Sequence, residues 1–155
     1  MASIGVISDT HGLLRPEALS ALRGSDLVVH AGDIGSPLVI RLLEGVAPVV
    51  PVQGNTDRAH GWLDWPTTQV VPVGGRQLYV LHDLSTLDLD PAAAGFAVVI
   101  SGHSHQPCVC TRGEVLYLNP GSAGPRRFRL PISVARLHIH PGQPVTAEII
   151  ELDVR

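Results

Sequence analysis

Short apolar runs alternate with amphipathic segments through the first half of the chain. The runs 3–8, 26–30 and 48–52 are apolar almost throughout, which is typical of buried strands. The segments 16–22 and 37–43 between them have helical spacing, and each begins with a proline suited to a first helical turn. Alternation of strands and helices predicts a parallel sheet with right-handed crossovers.

The second half of the chain predicts hairpins instead. Residues 70–81 form two strand-like runs around Gly74-Gly75, a strong turn signal. Residues 107–118 predict a hairpin that turns at Arg112-Gly113, and residues 136–150 predict one that turns at Pro141-Gly142. A further buried strand is predicted at 96–101. We therefore expect a mixed α/β fold, with residues 1–155 forming a single domain, as the length of 155 residues also indicates.

Five polar clusters each follow an apolar run. They are Asp9-Thr10-His11, Gly32-Asp33, Gly54-Asn55-Thr56-Asp57, His82-Asp83 and Gly102-His103-Ser104-His105. The loops at the carboxyl ends of strands form the ligand crevice of an open α/β sheet. Buried carboxylates and imidazoles need partners there, and a metal ion is the natural one.

The residue types of these clusters favour particular metals. Imidazole and carboxylate without thiolate suit Zn, Mn, Fe, Co or Ni. Two such ions can share a carboxylate such as Asp33 and hold a phosphoryl group for in-line displacement. Each cluster alone also has an ordinary structural interpretation: Asp9 can cap a helix, and the Gly54–Asp57 stretch can form a turn with a capping side chain. His30 either orients Asp33 or simply packs. The indication of a metal site therefore comes from the ordered set.

Charge and composition exclude several classes of partner. The net charge is −3, and the one local basic cluster, formed by Arg126, Arg127 and Arg129, is short. We expect no specific binding to duplex nucleic acid and no attraction to an anionic membrane. The N-terminal residues lack the pattern of a signal peptide, and no apolar run approaches ~20 residues, so a cytoplasmic location is expected. Cys108 and Cys110 are expected to be buried or half-buried free thiols in a reducing compartment.

The ordered series DxH, GD, GNxD, H, GHxH resembles the calcineurin-like metallophosphoesterase superfamily. Within it, the start SDTHG and the run GHSHQP resemble the small bacterial and archaeal phosphodiesterase branch. The sequence NPGS at 119–122, followed by Pro125-Arg126, is also similar to that branch. The resemblance implies a four-layer αββα sandwich of two mixed β-sheets flanked by helices. It also implies hydrolysis of a small-molecule phosphodiester by a hydroxide bound to two divalent metal ions.

The resemblance implies a role for each matching residue. One metal ion would be bound by Asp9, His11 and His105, the second by Asn55, His82 and His103, and Asp33 would bridge them. Asp33, Asn55 and His103 would act in catalysis. Asn55, Asn119 and Arg126 would bind substrate. Manganese is the expected ion, and zinc, iron, nickel and cobalt suit the same ligands.

Two positions depart from the family pattern. Thr56 stands where many members have a histidine that acts as a general acid, and Thr56 cannot do so at neutral pH. Asp83-Leu84 replaces a Gly-His pair, and Asp83 either enters the cleft or caps the following turn, with the cap favoured. The alternative function is a metal-binding scaffold or interaction protein of the same fold with little or no catalytic activity. Self-association into a homo-oligomer is left open.

Overall fold

The protein contains two five-stranded mixed sheets packed face to face. The computed structural model describes residues 1–61 and 64–154. The first sheet has the order β10-β9-β1-β2-β3, with β1 Ala2–Ile7, β2 Leu27–His30, β3 Val49–Pro51, β9 Ser133–Ile139 and β10 Thr146–Glu151. The second has the order β4-β5-β6-β8-β7, with β4 Thr68–Val73, β5 Arg76–Leu81, β6 Val98–Ile100, β7 Cys108–Arg112 and β8 Val115–Asn119.

Helices cover the outer face of the first sheet. The described helices are α1 Pro16–Leu22, α2 Pro37–Glu44 and the short α3 Asn55–Ala59, and a 3₁₀ turn η1 spans Leu84–Thr86. The predicted parallel pairing of β1, β2 and β3 is confirmed. Prolines begin α1 and α2, and Ser36 caps α2 by accepting a hydrogen bond from the Leu38 N–H at 3.2 Å. Leu22 and Leu43 are fully buried and contribute to the core beneath this face.

The predicted hairpins are present, with one correction. Gly74 and Gly75 connect β4 to β5 with φ values of 57° and 77°, the left-handed backbone that a two-residue hairpin turn requires. The hairpin of β7 and β8 turns one residue later than expected, because Arg112 pairs with Val115 and the turn is Gly113-Glu114. The C-terminal hairpin of β9 and β10 joins the first sheet, where β9 runs antiparallel to β1.

Three clusters of buried apolar side chains hold the sandwich together, one between the sheets and one on the outer face of each. The inner faces of both sheets form one core, to which Ile4, Val80 and Leu137 contribute fully buried side chains. The predicted four-layer sandwich is confirmed, although the layer outside the second sheet consists of the segment 84–96 rather than of regular helix. Within the described residues, no helix is long and apolar enough to cross a membrane.

The two cysteines are free thiols, as expected, but they are more exposed than expected. Cys108 is exposed and Cys110 is half-buried. The reason is that β7 is the edge strand of the second sheet, and most of its residues face solvent. Their alternation still directs both thiols to one face of the strand.

Candidate metal centre

The loops that follow the strands meet at one edge of the sandwich. The Asp9 N–H donates to the Gly32 carbonyl at 3.0 Å, and the His11 N–H donates to the Asp33 carbonyl at 2.9 Å, so the loops after β1 and β2 run side by side. The His103 N–H donates to Asp9 Oδ2 at 3.0 Å and joins the second sheet to the first. Both sheets therefore contribute side chains to one cleft, as the sequence predicted.

Asp9, His11 and His105 form a first donor group, meaning a set of side chains whose oxygen and nitrogen atoms could bind one metal ion. Their ligand atoms all lie within 4.8 Å of one another. Asp9 Oδ1 is 3.4 Å from His105 Nε2 and 4.0 Å from His11 Nε2. Because the Asp9 side chain is fully buried, its Oδ1 is shielded from water and faces two imidazole rings.

Asp33, His82 and His103 form a second group, also within 4.8 Å. His82 Nε2 lies 3.3 Å from His103 Nδ1 and 3.1 Å from Asn55 Oδ1. His82 Nδ1 lies 2.7 Å from the Ala31 carbonyl, which can only accept, so Nδ1 carries the proton and Nε2 of the neutral ring has a free lone pair. That lone pair faces an amide oxygen, an imidazole nitrogen and a carboxylate.

Asp33, a member of the second group, also faces the first group. Its Oδ2 is 3.3 Å from His82 Nε2 and 3.8 Å from His11 Nε2. Its Oδ1 accepts a hydrogen bond from the Thr56 N–H at 3.0 Å, which fixes the orientation of the carboxylate. A single carboxylate in contact with both groups is suited to a shared ligand.

The electrostatics of the cleft favour a cation. Burial works against ionisation of Asp33, but its hydrogen bond and charge interaction with His82 and the Thr56 N–H hold the pKa of Asp33 well below its usual range. Burial also lowers the pKa of His82, but the hydrogen bond to Asp33 and the charges of Asp9 and Asp33 outweigh it and raise the pKa. A positive charge is therefore stabilised where His82 and Asp33 meet.

Several buried atoms of these donor groups have no hydrogen-bond partner within the described residues. Asp9 Oδ1, His11 Nε2 and His105 Nδ1 make no hydrogen bond within the described residues. Leaving a buried carboxylate oxygen unpaired costs several kcal/mol, on the order of the penalty for an uncompensated charge. A divalent cation bound to Asp9 Oδ1 and a ring nitrogen would remove that penalty, so the residues present fit metal ions.

The backbone at these ligands is strained. Asp9, His11, Asp33, His103 and His105 all have φ between 47° and 71°. Left-handed backbone costs a non-glycine residue on the order of 1–2 kcal/mol. Within the described residues, Phe128 is the one other non-glycine residue with a positive φ. Backbone strain is therefore concentrated on the residues of the two donor groups, as is typical of functional sites.

Two glycines allow the loops to approach closely. A Cβ atom on Gly54 would collide with the backbone nitrogen and carboxylate of Asp33. A Cβ atom on Gly102 would collide with the Ser8 hydroxyl and would lie 2.7 Å from Asp9 Oδ2. The glycine that precedes Asn55 and the one that precedes His103 are therefore parts of the site.

Asp57 is fully buried and holds two loops together without touching the donor groups. Asp57 accepts hydrogen bonds from the N–H groups of Ile34, Gly35 and Gly54 at 2.9–3.0 Å, which confirms its interpretation as a capping residue. These bonds tie the loop after β3 to the loop after β2.

His30 supports the same loop through its backbone. Nδ1 accepts from the Gly32 N–H at 3.1 Å, and Nε2 lies 3.0 Å from the Thr10 hydroxyl. The Thr10 hydroxyl in turn donates to the Ile34 carbonyl at 2.7 Å, so Nε2 carries the proton. Burial lowers the pKa of His30 to about 3 and keeps the ring neutral. The hydrogen bonds of His30 go to Gly32 and Thr10, so it can orient Asp33 only through the backbone of the loop.

The predicted substrate-binding residues outside the ligand set lie in different surroundings. Asn119 Nδ2 donates to the Gly102 carbonyl at 3.0 Å and to Ser104 Oγ at 3.1 Å, so its side chain braces the loop that bears His103. Arg126 is exposed. The sequence reasoning missed its neighbour Arg127, whose positive charge acts on His11 and contributes to lowering its pKa, after the larger effect of burial. Substrate binding by Asn119 and Arg126 stays a prediction.

Asp83 both caps a turn and borders the cleft. Its Oδ1 accepts from the Ser85 N–H at 3.0 Å at the start of η1, as the favoured interpretation expected. Its Oδ2 lies 3.8 Å from His103 Nε2. The two alternatives for this residue are therefore compatible, since each concerns a different carboxylate oxygen.

Comparisons with known proteins identify the family and the fold to which this chain is similar. The family model of the calcineurin-like phosphoesterase superfamily domain matches residues 2–142. A probable metallophosphoesterase of Methanothermobacter thermautotrophicus is 39% identical, with 95% of this chain and 91% of that protein covered. The phosphodiesterase YfcE of Escherichia coli is 30% identical, with 79% of each covered. The crystal structure of Vps29 from Entamoeba histolytica in complex with Zn²⁺ superposes with a TM-score of 0.70 at 20% identity, covering 96% of this chain and 98% of that one, which shows a shared fold.

Adding a methyl group at Gly54 should weaken metal binding. The φ of Gly54 is −100°, which alanine adopts freely, so Gly54→Ala acts only through its collision with Asp33. We expect the dissociation constant for Mn²⁺, measured by isothermal titration calorimetry, to rise about 10-fold or more, as for other residues that position ligands. Gly45→Ala is the control, because Gly45 has helical φ and its Cβ would meet one carbonyl at 3.2 Å. Unchanged affinity in Gly54→Ala would contradict the close-approach argument.

The strain at His103 predicts an unusual order of stability. Its φ is 71° and its side chain is 46% exposed, so replacement removes a ligand without opening a core cavity. In the metal-free protein His103→Gly should be more stable to urea than His103→Ala by about 1 kcal/mol, because glycine adopts this backbone without penalty. At Ser104, whose φ is not positive, the order should reverse, with alanine the more stable. Equal stability of the two His103 variants would show that the backbone is not strained there.

Proposed function

The chain belongs to the calcineurin-like phosphoesterase superfamily, and on that premise we propose that it is a metal-dependent phosphodiesterase. The observation that carries the proposal is the convergence of two donor groups on the shared Asp33 carboxylate. Two divalent metal ions held there would supply Lewis-acid chemistry, lowering the pKa of water and neutralising charge on phosphoryl oxygens. Manganese is the proposed ion, and the zinc complex of the Vps29 relative supports zinc as a second.

The chain's own residues set up the reaction. Asp9, His11 and His105 hold one side of the centre, and Asn55, His82 and His103 hold the other, with Asp33 between them. The Ala31 carbonyl keeps the His82 proton on Nδ1, so that Nε2 is available as a ligand. The positive charge of Arg127, near His11, attracts an anionic substrate to the cleft. Asn55 and His103 are proposed to contact the phosphoryl group as well as the metal.

Space on both sides of the second donor group favours a diester over a monoester. A cavity of about 350 Å³ lies on the side of Ser104, and a second of about 460 Å³ lies on the side of Arg58. Asp83 lines both, and each cavity is lined by a member of the second donor group, His103 in the first and His82 in the second. A phosphodiester has two ester arms and can occupy both, whereas a monoester has one.

Thr56 limits the leaving groups. A hydroxyl side chain cannot donate a proton as an acid at neutral pH, so a departing alkoxide would have no acid at this position. Leaving groups that need no proton, such as phenolates, should therefore react fastest.

We expect bis(4-nitrophenyl) phosphate to be hydrolysed faster than 4-nitrophenyl phosphate, and only with an added metal such as Mn²⁺. Asp33→Asn keeps the shape and tolerates the left-handed backbone, but it loses the charge shared by both donor groups. Its kcat should fall at least about 100-fold, while its urea unfolding stays cooperative.

Asp153→Asn is the matched control, because Asp153 is an exposed carboxylate beyond β10. Full activity in Asp33→Asn would rule out this cleft as the reaction centre. Metal binding without turnover of either ester, across Mn, Zn, Co, Ni and Fe, would favour the scaffold function instead.

A further inference from the structure

The cavity beside Ser104 continues as a groove along the outer face of the second sheet. It begins at His103 and Asp83 and passes between η1 and the hairpin of β7 and β8. Its walls include Leu84, Cys108, Cys110 and Tyr117. Arg112 lies at the end away from His103. Its volume of about 350 Å³ falls within the range of small-molecule sites, roughly 300–1,000 Å³.

Charge is distributed unevenly along this groove. Asp83 places a carboxylate at the end near the donor groups, and Arg112 places a guanidinium at the other end. The groove between them is lined largely by apolar atoms, among them those of Leu84, Pro107 and Tyr117. A ligand that fits this arrangement has an apolar middle and a negative charge at the end remote from the metal centre.

The guanidinium of Arg112 is positioned by its contact with the Tyr117 ring. Its guanidinium carbon lies 4.7 Å from the centre of the Tyr117 ring, a favourable cation–π contact. Tyr117 pairs with Cys110 in the sheet, so the guanidinium reaches back to the level of Cys110. That level is about 7 Å along β7 from Cys108, at ~3.4 Å per residue. The planar guanidinium presents paired donors that match a carboxylate or a phosphate.

We propose that this groove binds one ester arm of the substrate, and that the arm ends in an anionic group recognised by Arg112. The inference rests on the proposed function, since it assigns a substrate class to the same centre. The arm has an apolar stem that crosses the groove from His103 to Arg112. Carboxylate and phosphate share the required chemistry.

The first test compares matched aryl diesters. Each carries 4-nitrophenol as the leaving group and an alkyl arm, and the arms form a series of increasing length. The arm ends in a carboxylate, in a phosphate or in a neutral methyl ester. We expect KM to be about fivefold to tenfold lower for an anionic arm than for the ester arm. The better of the two anionic arms identifies the preferred anion.

Variants then assign that preference to Arg112. In Arg112→Gln the ratio of KM values for the charged and neutral arms should fall to about one. Arg41→Gln is the matched control, because Arg41 is exposed on α2, on the first sheet's side of the sandwich, and should keep the ratio. A preference that persists in Arg112→Gln would overturn the assignment.

The thiols give a readout that does not require turnover. Cys108 and Cys110 are the two cysteines of the chain, and both line the groove. With Mn²⁺ present, a non-hydrolysable phosphonate bearing the preferred anionic arm should slow thiol modification by a disulfide reagent. The rate should fall at least about threefold, whereas the neutral-arm phosphonate should leave it unchanged. The protection should be absent in Arg112→Gln.

The two readouts separate failure of this inference from failure of the proposed function. Arm-dependent protection without hydrolysis of any diester would overturn the phosphodiesterase activity and keep the groove as a binding site. Hydrolysis with no effect of the arm on KM and no protection would overturn the groove and keep the activity. Neither hydrolysis nor protection would overturn both.

Discussion

Burial of two carboxylates at the junction of two sheets is the constraint on which this structure depends. Asp9 and Asp33 lie in the protein interior, each with one oxygen turned toward imidazole nitrogens. The Asp9 oxygen has no hydrogen-bond donor within the described residues. Such a site is stable only when a cation balances the charge. Burial lowers the pKa of His82, but the hydrogen bond to Asp33 and the charges of Asp9 and Asp33 outweigh it and raise the pKa, so the same carboxylates favour a positive charge here.

Much of the surrounding structure positions those carboxylates. Five residues of the two donor groups adopt left-handed backbone, and glycines before Asn55 and His103 let neighbouring loops approach within contact distance. Asp57 and His30 tie the loop of Asp33 to its neighbours through backbone hydrogen bonds. Asn119 does the same for the loop of His103. The ligands are thus held by a rigid network, as a preorganised centre requires.

Local patterns predicted the strands, the hairpins and the clustered ligands, because apolar runs and glycine turns act over a few residues. The ligand clusters were recognisable because each follows a strand, and strand ends of α/β sheets meet at one edge. The pairing of β9 with β1 was beyond reach, since contacts between distant segments leave no periodic signal. The bracing by Asn119 and the position of Arg127 depend on how loops fold over one another. The groove depends on η1 lying opposite β7, which no local pattern encodes.

The number of bound metal ions tests the central claim most directly. Metal-free protein would be dialysed against excess Mn²⁺, separated from free ion, and analysed for metal and protein in the same sample. We expect two ions per chain, one for each group of donor atoms, because Asp33 faces both groups. A saturating value of one ion or none, with Zn²⁺ giving the same result, would contradict a shared-carboxylate centre.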